Sequence, residues 1–121
     1  MGLSFACIPD ALSNAKVFES ITETTWIGYS DTVDEGTFLC VEWGDAEYFK
    51  WNAGEPNDSG SNEDCAEMNS YGLWNDATCA SNKPCVCTFP GTNSLLTDRK
   101  VQRFLFVFES CTTHDIRIIC F

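Results

Sequence analysis

The sequence predicts a small α+β domain that is held together by disulfide bonds. Eight cysteines in 121 residues are typical of small domains from oxidising compartments, where cross-links supplement a modest core. One capped segment predicts a single helix, and short apolar runs between turn residues predict several strands. A polar stretch at 52–62 separates two groups of these runs and predicts a long functional loop.

The chain opens with an extended segment at 2–9, which is followed by the predicted helix. Asp10 can cap a helix over 11–21, because its carboxylate can accept a hydrogen bond from an N–H group of the first turn. The residues predicted for the apolar side of this helix are Ala11, Ala15, Val17, Phe18 and Ile21.

Strand-type runs follow the helix, and each lies between turn residues. The predicted strands are 26–29, 38–43, 73–76 and 84–89. Turns are predicted at 31–36 and 44–45, where acidic residues and glycine occur together. One helix beside several short strands is the pattern of the α+β class.

The character of the sequence changes after residue 90. We predict a domain at 1–90 and an extension of unknown nature at 91–121. Two apolar runs in the extension, 101–108 and 116–121, predict a hairpin. The alternative hypothesis is that this segment is foreign to the protein, and under either hypothesis we expect the sheet to lack its edge strand.

The charge excludes one class of partner. The net charge is −11, and residues 1–90 carry 15 acidic but only 3 basic side chains. Phosphate binding requires clustered Lys and Arg, so nucleic acid is excluded as a partner. The sequence has no run of about 18 apolar residues, so we predict no membrane span in this chain.

The cysteines predict disulfides rather than a zinc site. The chain has one histidine, and Cys85 and Cys87 form C-x-C rather than the C-x-x-C spacing of a zinc knuckle. Eight cysteines allow 105 pairings, so spacing leaves the partners open. In the extension, Cys111 and Cys120 can bridge each other.

Hard oxygen ligands cluster between residues 55 and 76, a stretch without Lys or Arg. Calcium takes six to eight oxygens from carboxylates, amides and water, so we predict a cation site rather than a solvated acidic loop. The cluster consists of Glu55, Asn57, Asp58, Glu63, Asp64, Asn75 and Asp76. An EF-hand over 31–42 is disfavoured, because Val33 stands at a ligand position.

Five motifs resemble those of a C-type lectin domain of the mannose-binding type. They are Trp26-Ile27-Gly28, Glu55-Pro56-Asn57, Glu63-Asp64-Cys65, Trp74-Asn75-Asp76 and the closing pair Cys79 and Cys87. The resemblance covers about 2–90 and implies a C-type lectin-like fold with small antiparallel sheets, one remaining helix and a long calcium-binding loop region. It begins after the family's first strand and first helix, so we expect a truncated N-terminus.

The resemblance implies a principal calcium site that also binds sugar. Glu-Pro-Asn in this family favours mannose, N-acetylglucosamine, fucose or glucose over galactose, and the Glu55–Pro56 bond is expected to be cis. The implied calcium ligands are Glu55, Asn57, Glu63, Asn75 and Asp76. The implied sugar contacts are Glu55, Asn57, Glu63 and Asn75.

An auxiliary calcium site is also implied. Its ligands, together with Glu63, are Asp31, Glu35, Asp58 and Asp64. The alternative for Asp31 and Glu35 is that they are turn residues with no metal role.

The resemblance further implies a disulfide between Cys65 and Cys79. Cys87 matches a cysteine whose usual partner lies in the missing first helix, and Cys7 is a candidate substitute. The partners of Cys40 and Cys85 stay open.

We therefore predict a calcium-dependent lectin whose partners are mannose-type glycans or glycoconjugates. We expect a secreted or extracellular protein. No signal peptide is evident, so we expect the parent protein to be longer than this sequence. An oligomer of the parent protein is a further expectation. The alternative is a lectin-like interaction or structural domain that keeps calcium only to order its loops. Catalysis is disfavoured, because no nucleophile elbow or phosphate loop occurs and the only histidine, His114, lies in the extension.

Overall fold

The structure is a computed structural model that describes residues 4–88 and 105–111. The predicted α+β class is confirmed, since one helix lies beside a mixed sheet. In chain order the elements are β1 (Ser4–Phe5), α1 (Ala11–Ser20), β2 (Thr25–Ser30), β3 (Leu39–Cys40), a 3-10 turn (Ser59–Ser61), β4 (Cys65–Met68), β5 (Trp74–Ala77), β6 (Lys83–Thr88) and β7 (Leu105–Cys111).

Helix α1 begins after Asp10, as predicted, because the Asp10 carboxylate accepts a hydrogen bond of 2.8 Å from the Ser13 N–H group. The predicted apolar side is wrong in part. Asn14 and Val17 are the buried residues of the helix. Asn14 occupies a core-facing position because its amide bonds inside the molecule, as described below. The residues predicted for the apolar side that the structure leaves exposed are Ala11, Ala15 and Phe18.

The central path of the sheet runs β1–β6–β2–β4–β5. β2 and β6 are parallel, with Trp26 opposite Cys85, and the other pairs along the path are antiparallel. β4 was not predicted, because its sequence, Cys-Ala-Glu-Met, lacks the β-branched and aromatic residues that mark strands. The strand predicted at 38–43 is reduced to β3, because Cys40 and Gly44 exchange backbone hydrogen bonds and turn the chain back.

β7 adds a strand to the sheet from the C-terminal part of the chain. It pairs antiparallel with β6, so that Val107 lies opposite Val86 and Phe106 opposite Cys87. The first of the two runs predicted to form a hairpin therefore pairs with β6, and the hairpin itself stays a prediction. The second run, 116–121, and the boundary predicted near residue 90 lie outside the described residues.

The two faces of the sheet bury separate clusters of side chains. The larger cluster includes Val17 of α1, Met68 and Trp74, with Trp51 packed partly buried against it. The smaller cluster lies around Trp26 and several cysteines. Trp26 and Trp74 are both fully buried, which makes each a major source of apolar stabilisation.

Disulfides connect the loops to the strands. Cys65 is joined to Cys79, the pair that the resemblance implies, and Cys7 is joined to Cys40. Cys7 is therefore not the partner of Cys87. Cys85 and Cys87 are disulfide-bonded as well, but their Sγ atoms lie 3.9 Å apart and are not joined to each other. Among the described residues, no helix has the length and apolar character required to cross a bilayer.

Candidate functional site

The long loop before β4 is held at its start by backbone hydrogen bonds to β5. Near its start, the Trp74 N–H donates to the Lys50 carbonyl and the Asn52 N–H donates to the Trp74 carbonyl, at 2.8 Å each. Glu55 follows, and its bond to Pro56 is cis, as predicted. The loop is thereby fastened beside the strand that carries Asn75 and Asp76.

The Asp76 side chain on β5 binds the backbone of the loop. Its carboxylate accepts hydrogen bonds from the backbone N–H groups of Asn57, at 3.0 Å, and Asp58, at 2.7 Å. Asp76 is 4 % exposed, so these bonds to a charged acceptor lie in a partly desolvated place, where they are strong. Asp58 takes a left-handed backbone conformation, φ 46°, directly after Asn57.

Side chains of the loop close a second set of hydrogen bonds. The Ser59 N–H donates to Glu63 Oε1 at 2.9 Å, and the Glu63 N–H donates to Asp58 Oδ1 at 3.1 Å. The Asn57 amide donates to Glu55 Oε2 at 3.3 Å. Glu55, Asn57 and Glu63 are therefore brought together although they are up to eight positions apart in the sequence.

All five residues predicted for the principal calcium site line one open depression of about 580 Å³. Three of them are acidic, so the depression concentrates negative charge. Burial, and then the neighbouring Asp76 carboxyl, raises the pKa of Glu55 to about 7. A bound cation would relieve this repulsion.

A second group of carboxylates lies at the start of the turn after β2. Oxygen atoms of Asp31, Glu35 and Asp64 lie within 4.8 Å of one another, a geometry that could hold a metal ion. The Asp31 N–H donates to the Asp64 carbonyl at 3.1 Å, and Asp31 Oδ2 accepts from the Gly36 N–H at 2.9 Å. After burial and hydrogen bonding with Asp31, the charge of Asp58 is a smaller cause that raises the pKa of Glu35 and of Asp64.

Neighbouring carboxyl groups also raise pKa values in the second group. A hydrogen bond with Asp31 is the main cause that raises the pKa of Glu35 to about 7. Burial, and then Asp31, raises the pKa of Asp64. Two adjacent carboxylates favour a shared proton or a shared cation.

Both groups contain buried oxygen atoms that accept no hydrogen bond from any described residue when all of the carboxyl groups are ionised. Such atoms are costly unless a partner outside the chain satisfies them, and carboxylate and amide oxygens are the ligands that calcium prefers. The residues present therefore fit calcium. The atoms are Asp31 Oδ1, Glu55 Oε1, Asp64 Oδ1 and Asn75 Oδ1.

The depression has a second end that the sequence did not predict. Lys83 and Glu67 form an ion pair of 2.7 Å there, and the Lys83 ammonium lies 4.2 Å from the centre of the Trp26 ring. Lys83 is the only Lys or Arg between residues 51 and 98 of the sequence. A single cation in an acidic stretch was the sequence feature that could have indicated an ion pair here. Glu67 lay in the unpredicted strand β4. The other residues of this end are Thr24, Thr78 and Ser81.

Solved structures resemble this fold. The C-type lectin CEL-I from Cucumaria echinata matches with 28 % identity and a TM-score of 0.58, over 61 % of this chain and 59 % of that chain. The cow carbohydrate-recognition domain of CD23, solved in the presence of a GlcNAc2Man3 oligosaccharide, matches with 32 % identity and a TM-score of 0.62, over 65 % and 62 %. This chain thus covers less than two thirds of either protein.

A calcium-independent type II antifreeze protein matches with 15 % identity and a TM-score of 0.62, over 90 % of this chain and 70 % of that chain. At this identity the likeness concerns the fold alone. The family model described as the Lectin C-type domain matches residues 8–89. The C-type lectin-like fold that the resemblance implied is confirmed, and the chain belongs to the C-type lectin domain family.

Proposed function

We propose that the chain is a calcium-dependent lectin for mannose-type sugars, with glycans or glycoconjugates as partners. The observation that carries this proposal is the single depression lined by all five residues of the implied principal site. The unpartnered oxygens of Glu55 and Asn75 in that depression support a calcium ion there.

In this proposal the principal ion is held by side chains from the loop and from β5. Calcium, when bound, would accept two neighbouring hydroxyl oxygens of a sugar as ligands. Glu55 and Glu63 then accept the protons of those hydroxyls, while the amides of Asn57 and Asn75 donate to their lone pairs. The proposed ligands are Glu55, Asn57, Glu63, Asn75 and Asp76.

The auxiliary ion is proposed to order the loop from its outer side. Asp31, Glu35 and Asp64 converge within 4.8 Å, which supports their role as ligands. Asp58 and Glu63 complete the proposed set, and the hydrogen bond from Glu63 N–H to Asp58 joins this set to the principal one. Occupation of the auxiliary site would then stiffen the segment that carries the sugar-binding side chains.

We propose a secreted or extracellular location and no catalytic step. The two disulfides Cys7–Cys40 and Cys65–Cys79 support an oxidising compartment. Affinity for one monosaccharide is expected to be weak at an open site, so useful binding is proposed to come from several domains in an oligomer of the parent protein.

A second candidate function is a structural or protein-interaction domain that uses calcium only to order its loops. The group of Asp31, Glu35 and Asp64 favours it, since these carboxylates converge within 4.8 Å and none of the three is a proposed sugar contact. The two functions differ in whether the calcium-loaded domain binds sugar.

The test is retention of the full chain on mannose-agarose with millimolar calcium, followed by elution with a chelator. The double variant Glu55→Gln with Asn57→Asp should lose retention on mannose and gain retention on galactose. Glu19→Gln, at an exposed position of α1, is the matched control and should behave as wild type. A folded, calcium-binding protein that no sugar retains would refute the lectin and favour the second function.

A further inference from the structure

A second cavity, of about 250 Å³, shares no lining residue with the depression that contains the proposed calcium ligands. Its most buried lining residues are Ile8, which is fully buried, and Tyr29, which is 2 % exposed. The Tyr29 hydroxyl donates to the Ile8 carbonyl at 2.9 Å and accepts a hydrogen bond from the Ile8 N–H. Tyr29 also stacks on Trp74. The floor of the cavity is therefore a fixed aromatic surface whose polar end already has its partners.

The Cys7–Cys40 disulfide connects two chain segments that line this cavity. Cys7 directly precedes Ile8 in the sequence, and Cys40 Sγ accepts a hydrogen bond of 3.4 Å from the Trp43 N–H. Cys40 and Gly44 also exchange backbone hydrogen bonds of 2.7 and 2.8 Å. Trp43 is thus held at the cavity by its backbone, while its side chain is 45 % exposed.

The rim of the cavity is acidic. Asp45 and Glu47 line it, and no Lys, Arg or His among the described residues does so. Asp10 adds negative charge nearby, because after burial it is the second cause that raises the pKa of Tyr48, another lining residue. Aromatic rings attract cations through their faces, and carboxylates pair with them directly. The cavity therefore favours a positively charged group that carries an apolar stem.

We propose that this cavity binds one arginine side chain, presented by a basic segment of a partner protein. A guanidinium group is planar, so it can stack on Trp43 while it donates two hydrogen bonds to a carboxylate at the rim. The volume lies below the range of about 300–1,000 Å³ that is typical of small-molecule sites, and it suits a single long side chain. The net charge of −11 also favours a basic partner. The inference is independent of the proposed sugar site.

The experiment is an NMR titration of the full chain, labelled with ¹⁵N, in millimolar calcium. The probes are the N-acetyl methylamides of arginine, lysine and norleucine, of which norleucine keeps the apolar stem and lacks the charge. The arginine probe is expected to shift the Trp43 indole N–H and to bind about tenfold more tightly than the norleucine probe, with lysine between them. Methyl α-mannoside should leave these shifts in place, because the two sites share no residue.

Two variants remove the two proposed sources of this preference. Trp43→Leu removes the ring, and Asp45→Asn with Glu47→Gln removes the carboxylates, so each should reduce the tenfold preference to about threefold. Glu19→Gln, at an exposed position of α1, also removes a negative charge and should keep the wild-type preference.

Equal binding of the arginine and norleucine probes by wild type would overturn the proposal, as would a wild-type preference that both of these variants retain. Shifts confined to residues of the calcium depression would show a general attraction of cations to an acidic chain, and would overturn it too. Each of these results leaves the proposed lectin function untouched, since that function is tested by retention on mannose.

Discussion

The motif Trp26-Ile27-Gly28 ends in glycine because the neighbouring backbone leaves no space for a side chain at this position. A Cβ atom at this position would lie 2.8 Å from the carbonyl oxygens of both Phe5 and Ala6 and 2.9 Å from Cys7 Sγ. The Gly28 N–H also donates to the Ala6 carbonyl at 2.7 Å. Close backbone approach, rather than a positive φ angle, is therefore what requires glycine here.

The carboxyl groups of the two proposed calcium sites carry a pH dependence. The pKa values of Glu35 and Glu55 are raised to about 7 by hydrogen bonding, burial and neighbouring carboxylates. Calcium requires the ionised carboxylate, so a raised pKa means that protons compete with calcium near neutral pH. We expect calcium affinity to fall as the pH is lowered from about 8 to about 6, with the steepest change near pH 7. Calorimetric titration at a series of pH values measures this.

Glu35→Gln and Glu55→Gln are the informative variants for this prediction. Each should weaken calcium binding at pH 8 and flatten part of the pH profile, because one titrating group is gone. Glu19→Gln, an exposed residue away from both groups, should leave the profile unchanged. Affinity that stays constant down to about pH 5.5 would contradict the prediction.

At the scale of elements, Asn14 connects α1 to the strand of the site. Its side-chain amide donates to the Gly72 carbonyl at 2.9 Å, and its Oδ1 accepts from the Trp74 indole N–H at 2.8 Å. Trp74 stacks on Tyr29, with ring centres 4.9 Å apart, and immediately precedes Asn75. The helix thus fixes the Trp74 side chain, which is next in the sequence to the first of the two proposed calcium ligands on β5.

Asn14→Ala should lower the free energy of unfolding by about 1–3 kcal/mol, because a buried indole N–H and a buried carbonyl both lose their partner. Asn14→Asp should also be less stable than wild type, since it keeps the acceptor for Trp74 but places a carboxylate oxygen against the Gly72 carbonyl oxygen. Urea denaturation with calcium present measures these differences. Lys16→Ala, exposed on the same helix, is the control and should change stability little. Equal stability of Asn14→Ala and wild type would contradict the role of this side chain.

Elements with strong local signals were predictable from the sequence, and those set by tertiary contacts were not. Asp10 marks the start of α1 because capping is a local interaction. The buried side of α1 was mispredicted, because Asn14 is polar and only its distant partners, Gly72 and Trp74, make it a core residue. β4 lacks strand-forming residues and depends on pairing with its neighbours on both sides.

The candidate site divides in the same way. Its acidic half was predictable because the ligand types lie close together in the sequence, between residues 55 and 76. Its other half depends on Lys83 reaching across β2 to Glu67 on β4, a contact between residues 16 positions apart that no local pattern announces. Sheet order, which the sequence did not predict, is what brings the two halves together.

At the scale of the whole molecule, β7 covers the edge of β6 that faces away from β1 and β2. β6 lies between β1 and β2 on one side and β7 on the other, so β7 satisfies backbone groups that would otherwise form an exposed edge. Val107 and Phe108 are opposite Val86 and Cys85 in this pairing. A segment that appeared unrelated to the domain is in this way part of its sheet.

Proline substitution tests this pairing without shortening the chain. Successive N–H groups of a strand point alternately to the two sides, so one of Val107→Pro and Phe108→Pro removes a hydrogen bond to β6 and the other removes an N–H that points away from β6. One variant should therefore be less stable than its alanine counterpart by about 1–3 kcal/mol, and the other should be close to its counterpart. Val107→Ala and Phe108→Ala are the controls, since they remove the side chains but keep the backbone donors. Urea unfolding of the four variants measures the differences, and proline variants that both match their alanine controls would show that β7 does not pair with β6 in solution.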